Sequence, residues 1–265
     1  MRSRVAAALL SVSDAPQAEA RWMLQHAQSD PQLRRMVWSR TRRRKPLQYV
    51  LGDVPFAGMM LRVDSPMLIP RPETEEWVLW VSEQLQGRSL RLLDLGCGSG
   101  CIALALARHL PESKVLGIDS NPRAIELAQS NALLNNVRNV EFRLSDFSNY
   151  ALIREFAPEV ALSNPPYVSL HEWNHLAPEL KWWEDPGALV SPDSGLSDLQ
   201  NLISSCASIF RLATCSHVPF QIVLEFGSPW QSVRIKNTLH RNGFQDIQLS
   251  KDLFGNPRWI TAKLE

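Results

Sequence analysis

The sequence predicts an α/β fold, a doubly wound and mostly parallel seven-stranded sheet with helices on both faces, preceded by a small helical domain and a hairpin linker. Three observations carry this. From Thr74 onward, short apolar runs alternate with longer helical patterns, the arrangement that builds parallel sheets with ligand sites at the carboxyl ends of the strands. A glycine-rich segment, Asp94 to Gly100, stands between the first run and the helix that follows it. The length of 265 residues, 45% apolar and 21% charged, suits one large domain plus a small one.

The first domain is read over residues 1–45. Arg4 to Ser11, Ala15 to Ser29 and Pro31 to Arg44 lack glycine, Pro16 and Pro31 sit at first-turn positions, and Leu33, Met36 and Val37 recur at helical spacing. Residues 46–73 change texture to extended segments, Leu47 to Leu51 and Met59 to Val63, broken by Gly52, Asp53, Pro55 and Gly58. That pattern predicts a hairpin linker. Residues 74–265 hold strand-like runs at Arg91 to Leu95, Val115 to Ile118, Val140 to Leu144, Val160 to Ser163, Gln221 to Glu225, Phe244 to Leu249 and Arg258 to Leu264. Helices are expected at Cys101 to Leu110, Pro122 to Leu134, Leu196 to Leu212 and Trp230 to Asn242.

Charge and cysteine narrow the classes. No run of eighteen apolar residues occurs, so no spanning helix is predicted. Four cysteines without a Cys-x-x-Cys pair give neither a disulfide framework nor a zinc knuckle, and point to a reducing compartment. The net charge of +1 conceals an asymmetry: residues 1–45 hold ten Lys/Arg against three acids, leaving 18 against 24 in the rest. Arg34, Arg35, Arg40, Arg42, Arg43, Arg44 and Lys45 form an acid-free stretch. It suits phosphates or an acidic partner, although a solvated helix end running into a linker is the plainer reading.

The candidate site follows strand order. Gly96, Gly98 and Gly100 allow a tight turn against a helix amino terminus. A dinucleotide site looks similar, but Asp94 and the departure from Gly-x-Gly-x-x-Gly favour a cationic ligand over a pyrophosphate. Asp119, 19 residues beyond Gly100, is placed to accept two ribose hydroxyls. Asp146 offers an acceptor for an exocyclic amine and Phe147 a ring to stack on adenine. Together they spell a nucleoside site. Asn164-Pro165-Pro166-Tyr167 follows the fourth strand. Two prolines remove donors and stiffen the chain, so the Asn164 side-chain oxygen and the Pro165 carbonyl can act as paired acceptors for a planar NH2 group beside the Tyr167 ring.

These residues give the chain a family resemblance. Pro46-Leu47-Gln48-Tyr49, Leu68-Ile69-Pro70-Arg71-Pro72-Glu73-Thr74-Glu75, the glycine loop, Asn164 to Tyr167, Ala188-Leu189-Val190 and Asp193-Ser194-Gly195 together resemble the glutamine methyltransferases of the HemK type. The resemblance runs from about Ala15 to Leu264. It implies the S-adenosylmethionine-dependent methyltransferase sheet and N5-methylation of the Gln in the Gly-Gly-Gln motif of a class 1 peptide chain release factor, supporting translation termination. It also implies that Gly96, Cys97, Gly98, Ser99 and Gly100 line the methionine part of S-adenosylmethionine, Asp119 the ribose, and Asp146 and Phe147 the adenine. Asn164 then borders both cofactor and substrate, Asn164, Pro165 and Tyr167 are catalytic, Asn164 to Tyr167 bind the substrate Gln, and residues 1–45 grip the release factor. Three departures stand out: Cys97 and Ser99 in a loop that is Thr-rich in the family, Glu184-Asp185-Pro186 after Trp182-Trp183, and the absence of Gly-Gly in Cys206 to Pro219.

Other residues read plainly. His171 and His175 with Glu172 have metal-like spacing, but solvated or substrate-facing side chains are expected and no metal is assigned. Cys97 and Cys101 are expected to pack a helix start, and Glu225 to contact substrate or to cap. The rival readings are an amino methyltransferase acting on an exocyclic NH2 of a nucleic-acid base and a non-catalytic release-factor binding module. The partner expected is the release factor alone, with no membrane, no required nucleic acid, and a monomeric enzyme. Two Arg and no acid in the first 13 residues point to the mitochondrial matrix, with the bacterial cytoplasm as the alternative.

Overall fold

The computed structural model describes residues 1–212 and 220–264. Helices α1 (Arg2–Leu9), α2 (Pro16–His26), α3 (Asp30–Arg42) and α4 (Leu47–Leu51) lead to strands β1 (Asp53–Phe56) and β2 (Met59–Arg62). Then follow α5 (Pro72–Gln84), β3 (Arg91–Leu95), α6 (Cys101–His109), β4 (Lys114–Asp119), α7 (Pro122–Leu134), β5 (Val140–Leu144), α8 (Tyr150–Phe156) and β6 (Val160–Ser163). The chain closes with α9 (Leu170–His175), α10 (Pro178–Trp183), α11 (Pro192–Gly195), α12 (Ser197–Leu212), β7 (Phe220–Glu225), α13 (Pro229–Arg241), β8 (Gln245–Lys251) and β9 (Pro257–Leu264).

The large sheet runs β5-β4-β3-β6-β7-β9-β8. Strands β3 to β7 pair in parallel, while β9 is antiparallel to both β7 and β8. Winding reverses at β3, between β4 and β6, and such a reversal opens a crevice at the carboxyl ends. Both faces are covered: Leu92 joins Trp77, Leu104 and Leu106 on one side, and Leu93 joins Leu116, Leu199 and Ile222 on the other. That double burial is why the central strands read as unbroken apolar runs. A third core, with Val5, Leu9, Ala20, Met23, Leu33, Met36 and Leu47, belongs to the amino-terminal helices.

The expected hairpin is present, and two features differ from expectation. Leu47 to Leu51, read as extended, is helix α4, a segment too short to show a period; Gly52 ends it at φ +90°, its N–H donating to the Gln48 carbonyl at 2.7 Å. The hairpin forms around a two-residue turn, Ala57 (φ +48°) and Gly58 (φ +72°), whose paired positive angles match strand twist. Helices α5, α8, α9 and α10 extend the expected set: the proline run hides the start of α5, and helices of six or seven residues hold only through tertiary packing. Of the Cys206 to Pro219 connection, residues 213–219 lie outside the described residues. Among the described residues no helix is long and apolar enough to cross a membrane.

The basic stretch is also corrected. Arg40 is buried and donates through Nε and Nη2 to both carboxylate oxygens of Glu19, at 3.0 and 3.2 Å. Arg44 Nε donates to Glu179 Oε1 at 3.0 Å. Arg43 and Lys45 each lie 5.5 Å from the Trp183 ring centroid, and Trp183 Nε1 donates to the Arg43 carbonyl. Four of the seven cations are therefore engaged within the chain, fastening the helical unit to α10.

Candidate active site

A cavity of about 340 Å³ opens at the carboxyl ends of β3, β4, β5 and β6, within the range of small-molecule sites. Its first wall is the glycine loop. The Gly96 and Cys97 N–H groups both donate to the Ile118 carbonyl, at 2.9 and 3.0 Å, folding the loop over β4. Gly98, at φ +53°, donates its N–H to Asp119 Oδ2 at 2.9 Å, while Asp119 Oδ1 accepts from the Asn121 N–H at 2.9 Å. Two backbone donors thus fix the carboxylate at the cavity wall, and each oxygen keeps lone-pair capacity for a further donor.

Only part of the loop reaches the cavity. Gly96 and Gly98 line it, whereas Cys97 and Ser99 are buried behind the wall. Gly100 also stands back: a Cβ there would come within 3.0 Å of Ala128 Cβ and Phe142 Cζ, so its small size serves helix packing. Cys97, Ser99 and Gly100, expected to line the cofactor, are thus absent from the cavity lining. Asp94, read as an acid that favours a cationic ligand, does not line the cavity. Its side chain is 0% exposed, Oδ2 accepts from the Ala103 N–H at 3.0 Å, and Oδ1 has no partner among the described residues. Burial raises its carboxyl to about 7, opposed by the Ala103 bond.

At the end of β5, Asp146 and Phe147 join the wall. Asp146 Oδ1 accepts from the Ser148 hydroxyl at 2.5 Å and from the Ser148 N–H at 2.7 Å, which hold the carboxyl below its usual range. Phe147 is half-buried and packs against the second core.

After β6, Asn164, Pro165 and Pro166 line the cavity but Tyr167 does not. The Tyr167 ring packs on Gly227, where an added Cβ would lie 2.7 Å from Cδ2, and its hydroxyl donates to Glu225 Oε1 at 3.1 Å. Asn164 Nδ2 donates to Thr74 Oγ1 at 3.0 Å. Thr74 Oγ1 and Trp77 Nε1 each donate to Glu225 Oε2 at 2.7 Å. Glu225, expected to contact substrate or cap, is instead a buried acceptor for three side chains, its carboxyl pushed up by burial against those bonds.

The outer wall escaped the sequence reading in part. Asp185, Gly187 and Ala188 line it on a strap held at both sides: Arg71 Nη2 donates to Glu184 Oε2 at 2.5 Å, Ser65 Oγ to the Trp183 carbonyl at 2.6 Å, and the Asp185 N–H to the Pro66 carbonyl at 2.7 Å. Asn121 and Asp198 line the cavity too. The Asn121-Pro122 helix start was the available signal for the first, and nothing local marks the second. On α9 the His171 and His175 rings stand 4.8 Å apart, with His175 Nδ1 2.9 Å from the His171 carbonyl. Among the described residues no three metal-ligating side chains converge.

Residues 86–158 match the family model described as a methyltransferase domain. A release factor glutamine methyltransferase of Vibrio cholerae is 33% identical over 272 residues, covering 94% of this chain and 90% of the relative. That decides the family. The chain belongs to the release factor glutamine methyltransferases. A second member, from Fusobacterium nucleatum, is 36% identical over 87% of this chain, which spans 63% of that relative's length. Among solved structures, the hMettl16 catalytic domain in complex with the MAT2A 3'UTR hairpin 6 shares the fold, with TM-score 0.60 and 14% identity over 96% of this chain and 82% of that one.

The cofactor of this methyltransferase is S-adenosylmethionine, and the donor set of the cavity fits it. Asp119, Asp146, Asp185 and Asp198 line the cavity, while no Lys or Arg does so among the described residues. A wall of that sign attracts a sulfonium and an ammonium and repels a pyrophosphate. Gly96 and Gly98 leave the loop side open, and no added Cβ there meets an atom within 4 Å.

Proposed function

We propose that this methyltransferase modifies the side-chain amide nitrogen (N5) of the Gln in the Gly-Gly-Gln motif of a class 1 peptide chain release factor. The observation that carries the reading is the state of Asn164. One N–H of its amide donates to Thr74 Oγ1, which turns the NH2 end to Thr74 and leaves Oδ1 as the acceptor that this cavity-lining side chain has to offer. That oxygen and the Pro165 carbonyl are the two acceptors a planar amide NH2 requires.

An amide nitrogen is a poor nucleophile because its lone pair is delocalised. S-adenosylmethionine supplies a sulfonium-bound electrophilic methyl group when bound. Asn164 and Pro165 accept hydrogen bonds from the two amide N–H groups, hold the nitrogen in line, and stabilise the partial positive charge that develops on it as the N–C bond forms and the S–C bond breaks; one N–H proton then leaves to water. Gly96, Gly98, Asp119, Asp146 and Phe147 hold the cofactor. Tyr167 acts as a flat support whose hydroxyl is tied to Glu225, and Pro166 stiffens the turn.

We also assign residues 1–45 to gripping the factor away from the Gln, residues 46–73 to the linker, residues 74–265 to transfer, and a monomer as the working unit. For the compartment we propose the mitochondrial matrix, with the bacterial cytoplasm as the alternative: the first 13 residues carry two Arg and no acid, while Val5, Ala6 and Leu9 also pack in the helical core. Sequencing the amino terminus of the mature protein tests this, since a start beyond residue 13 supports a removed presequence. For the activity, labelled S-adenosylmethionine is supplied with release factor, with a factor whose motif Gln is replaced, and with tRNA, rRNA and duplex DNA. Label is expected on the intact factor alone, and label on nucleic acid overturns the reading in favour of a base amino methyltransferase.

A further inference from the structure

We propose that Glu225 and Thr74 are positioning residues that set which way round the Asn164 amide stands. The inference rests on the amide-clamp reading above. An asparagine side chain is nearly symmetric in shape, and its two orientations offer opposite functions, an acceptor or a donor, to whatever faces it. A clamp for an NH2 group needs the acceptor. Nothing in Asn164 to Tyr167 itself chooses between the two orientations.

The choice is made one bond away. Thr74 Oγ carries one proton, and that proton is directed at Glu225 Oε2, 2.7 Å away. What remains toward Asn164 is a lone pair, so Asn164 meets it with its NH2 at 3.0 Å, and Oδ1 is left for substrate. Glu225 Oε2 is itself fixed as an acceptor, because it also receives Trp77 Nε1, a group that can only donate, at 2.7 Å. A proton on Glu225 therefore resides on Oε1 and leaves the chain of polarity unchanged. Glu225 is 1% exposed and Thr74 1% exposed, so no bulk water competes for these bonds, and the direction of every donor from Trp77 to Asn164 is determined.

The ordering explains a buried carboxyl that touches neither the cavity nor a cation within bonding distance. Its other oxygen accepts from Tyr167, so one group fixes the two ends of the tetrapeptide. If the Thr74 proton lost its acceptor, the hydroxyl could turn and donate to Asn164 Oδ1. The amide would then flip and present N–H against N–H.

The test uses the full chain with release factor, measuring kcat, KM and cofactor affinity separately. Thr74→Val, which keeps shape and removes the hydroxyl, is expected to lower kcat about tenfold or more, with cofactor affinity within about threefold of wild type. Thr74→Ser keeps the hydroxyl and is expected to recover most of that loss. Glu225→Gln can place its amide oxygen where Trp77 and Thr74 need an acceptor and is expected to stay within about fivefold, whereas Glu225→Met behaves as Thr74→Val does. In an Asn164→Ala background there is no amide to orient, so adding Thr74→Val should cost less than about twofold. A wild-type kcat for Thr74→Val, or an equal loss in both backgrounds, overturns the proposal. Wild-type transfer by Asn164→Ala alone would instead sink the clamp.

Discussion

The two walls of the cavity are built on different plans. The wall we assign to the cofactor is local: Gly96 and Gly98, Asp119, and Asp146 each stand at the end of a strand, and their polar groups are fixed by backbone atoms a few residues away or on the adjoining loop. The wall we assign to the substrate is long-range. Asn164 is held from Thr74, 90 residues earlier, and the pair is referred to Glu225, 151 residues beyond Thr74. A local wall tolerates change within a loop, because each backbone donor persists whatever the side chain. A wall ordered by buried side chains fails at a single atom.

The contrast sets the scale of four outcomes. The largest concerns Asp94, hidden behind the cofactor wall. Its folded carboxyl is raised to about 7 by burial, so it contributes stability that is full below its unfolded value near 4 and lost as pH rises through about 7. Asp94→Asn does not titrate. The variant should therefore gain on wild type by on the order of 4 kcal/mol between pH 4 and pH 8 in urea unfolding. A constant gap across that window would show that Asp94 is ionised in the folded protein.

On the substrate wall, Asn164→Ala is expected to lower transfer about a hundredfold or more while leaving cofactor affinity nearly intact, since a substrate N–H loses its acceptor in a closed site. Asn164→Asp keeps an acceptor, adds a negative charge near the sulfonium position, and should bind cofactor at least as well while transferring slowly. Equal rates for either variant and wild type would move the clamp elsewhere. Asp119→Ala belongs to the other wall and should weaken S-adenosylmethionine binding by about 1–3 kcal/mol in calorimetry. Beyond the ligand, it also strips the acceptor from the Gly98 and Asn121 N–H groups. Smallest of all, Cys97→Ala should leave cofactor affinity within about twofold and cost less than about 1 kcal/mol of stability, because the side chain faces the core. A tenfold loss of affinity would place the thiol at the ligand after all.

Legibility in the sequence divides along the same line. The parallel strands themselves, the glycine turn and the places of Asp119, Asp146 and Asn164 at strand ends were readable because each is marked by neighbours: an apolar run, then a turn residue, then a polar group. Asp94 was misread because an acid beside a glycine loop looks exposed until the strand places it against the Ala103 N–H. The partner of the Tyr167 hydroxyl was not readable because it lies on β7, where no spacing rule reaches. The basic stretch looked solvated since its partners, Glu19, Glu179 and Trp183, are either behind it or far along the chain. Short helices α8, α9 and α10 carry too few residues for a period to emerge.

The strap over the cavity has a kinetic corollary. It is pinned to the helical unit by Arg44 and Arg43 on one side and to residues 65–71 by Ser65, Pro66 and Arg71 on the other. The Asp185 amide hydrogen is bonded to the Pro66 carbonyl, so its exchange with deuterium is expected to report release of that anchor, and loosening Arg44 from Glu179 is expected to speed it if the two anchors open together.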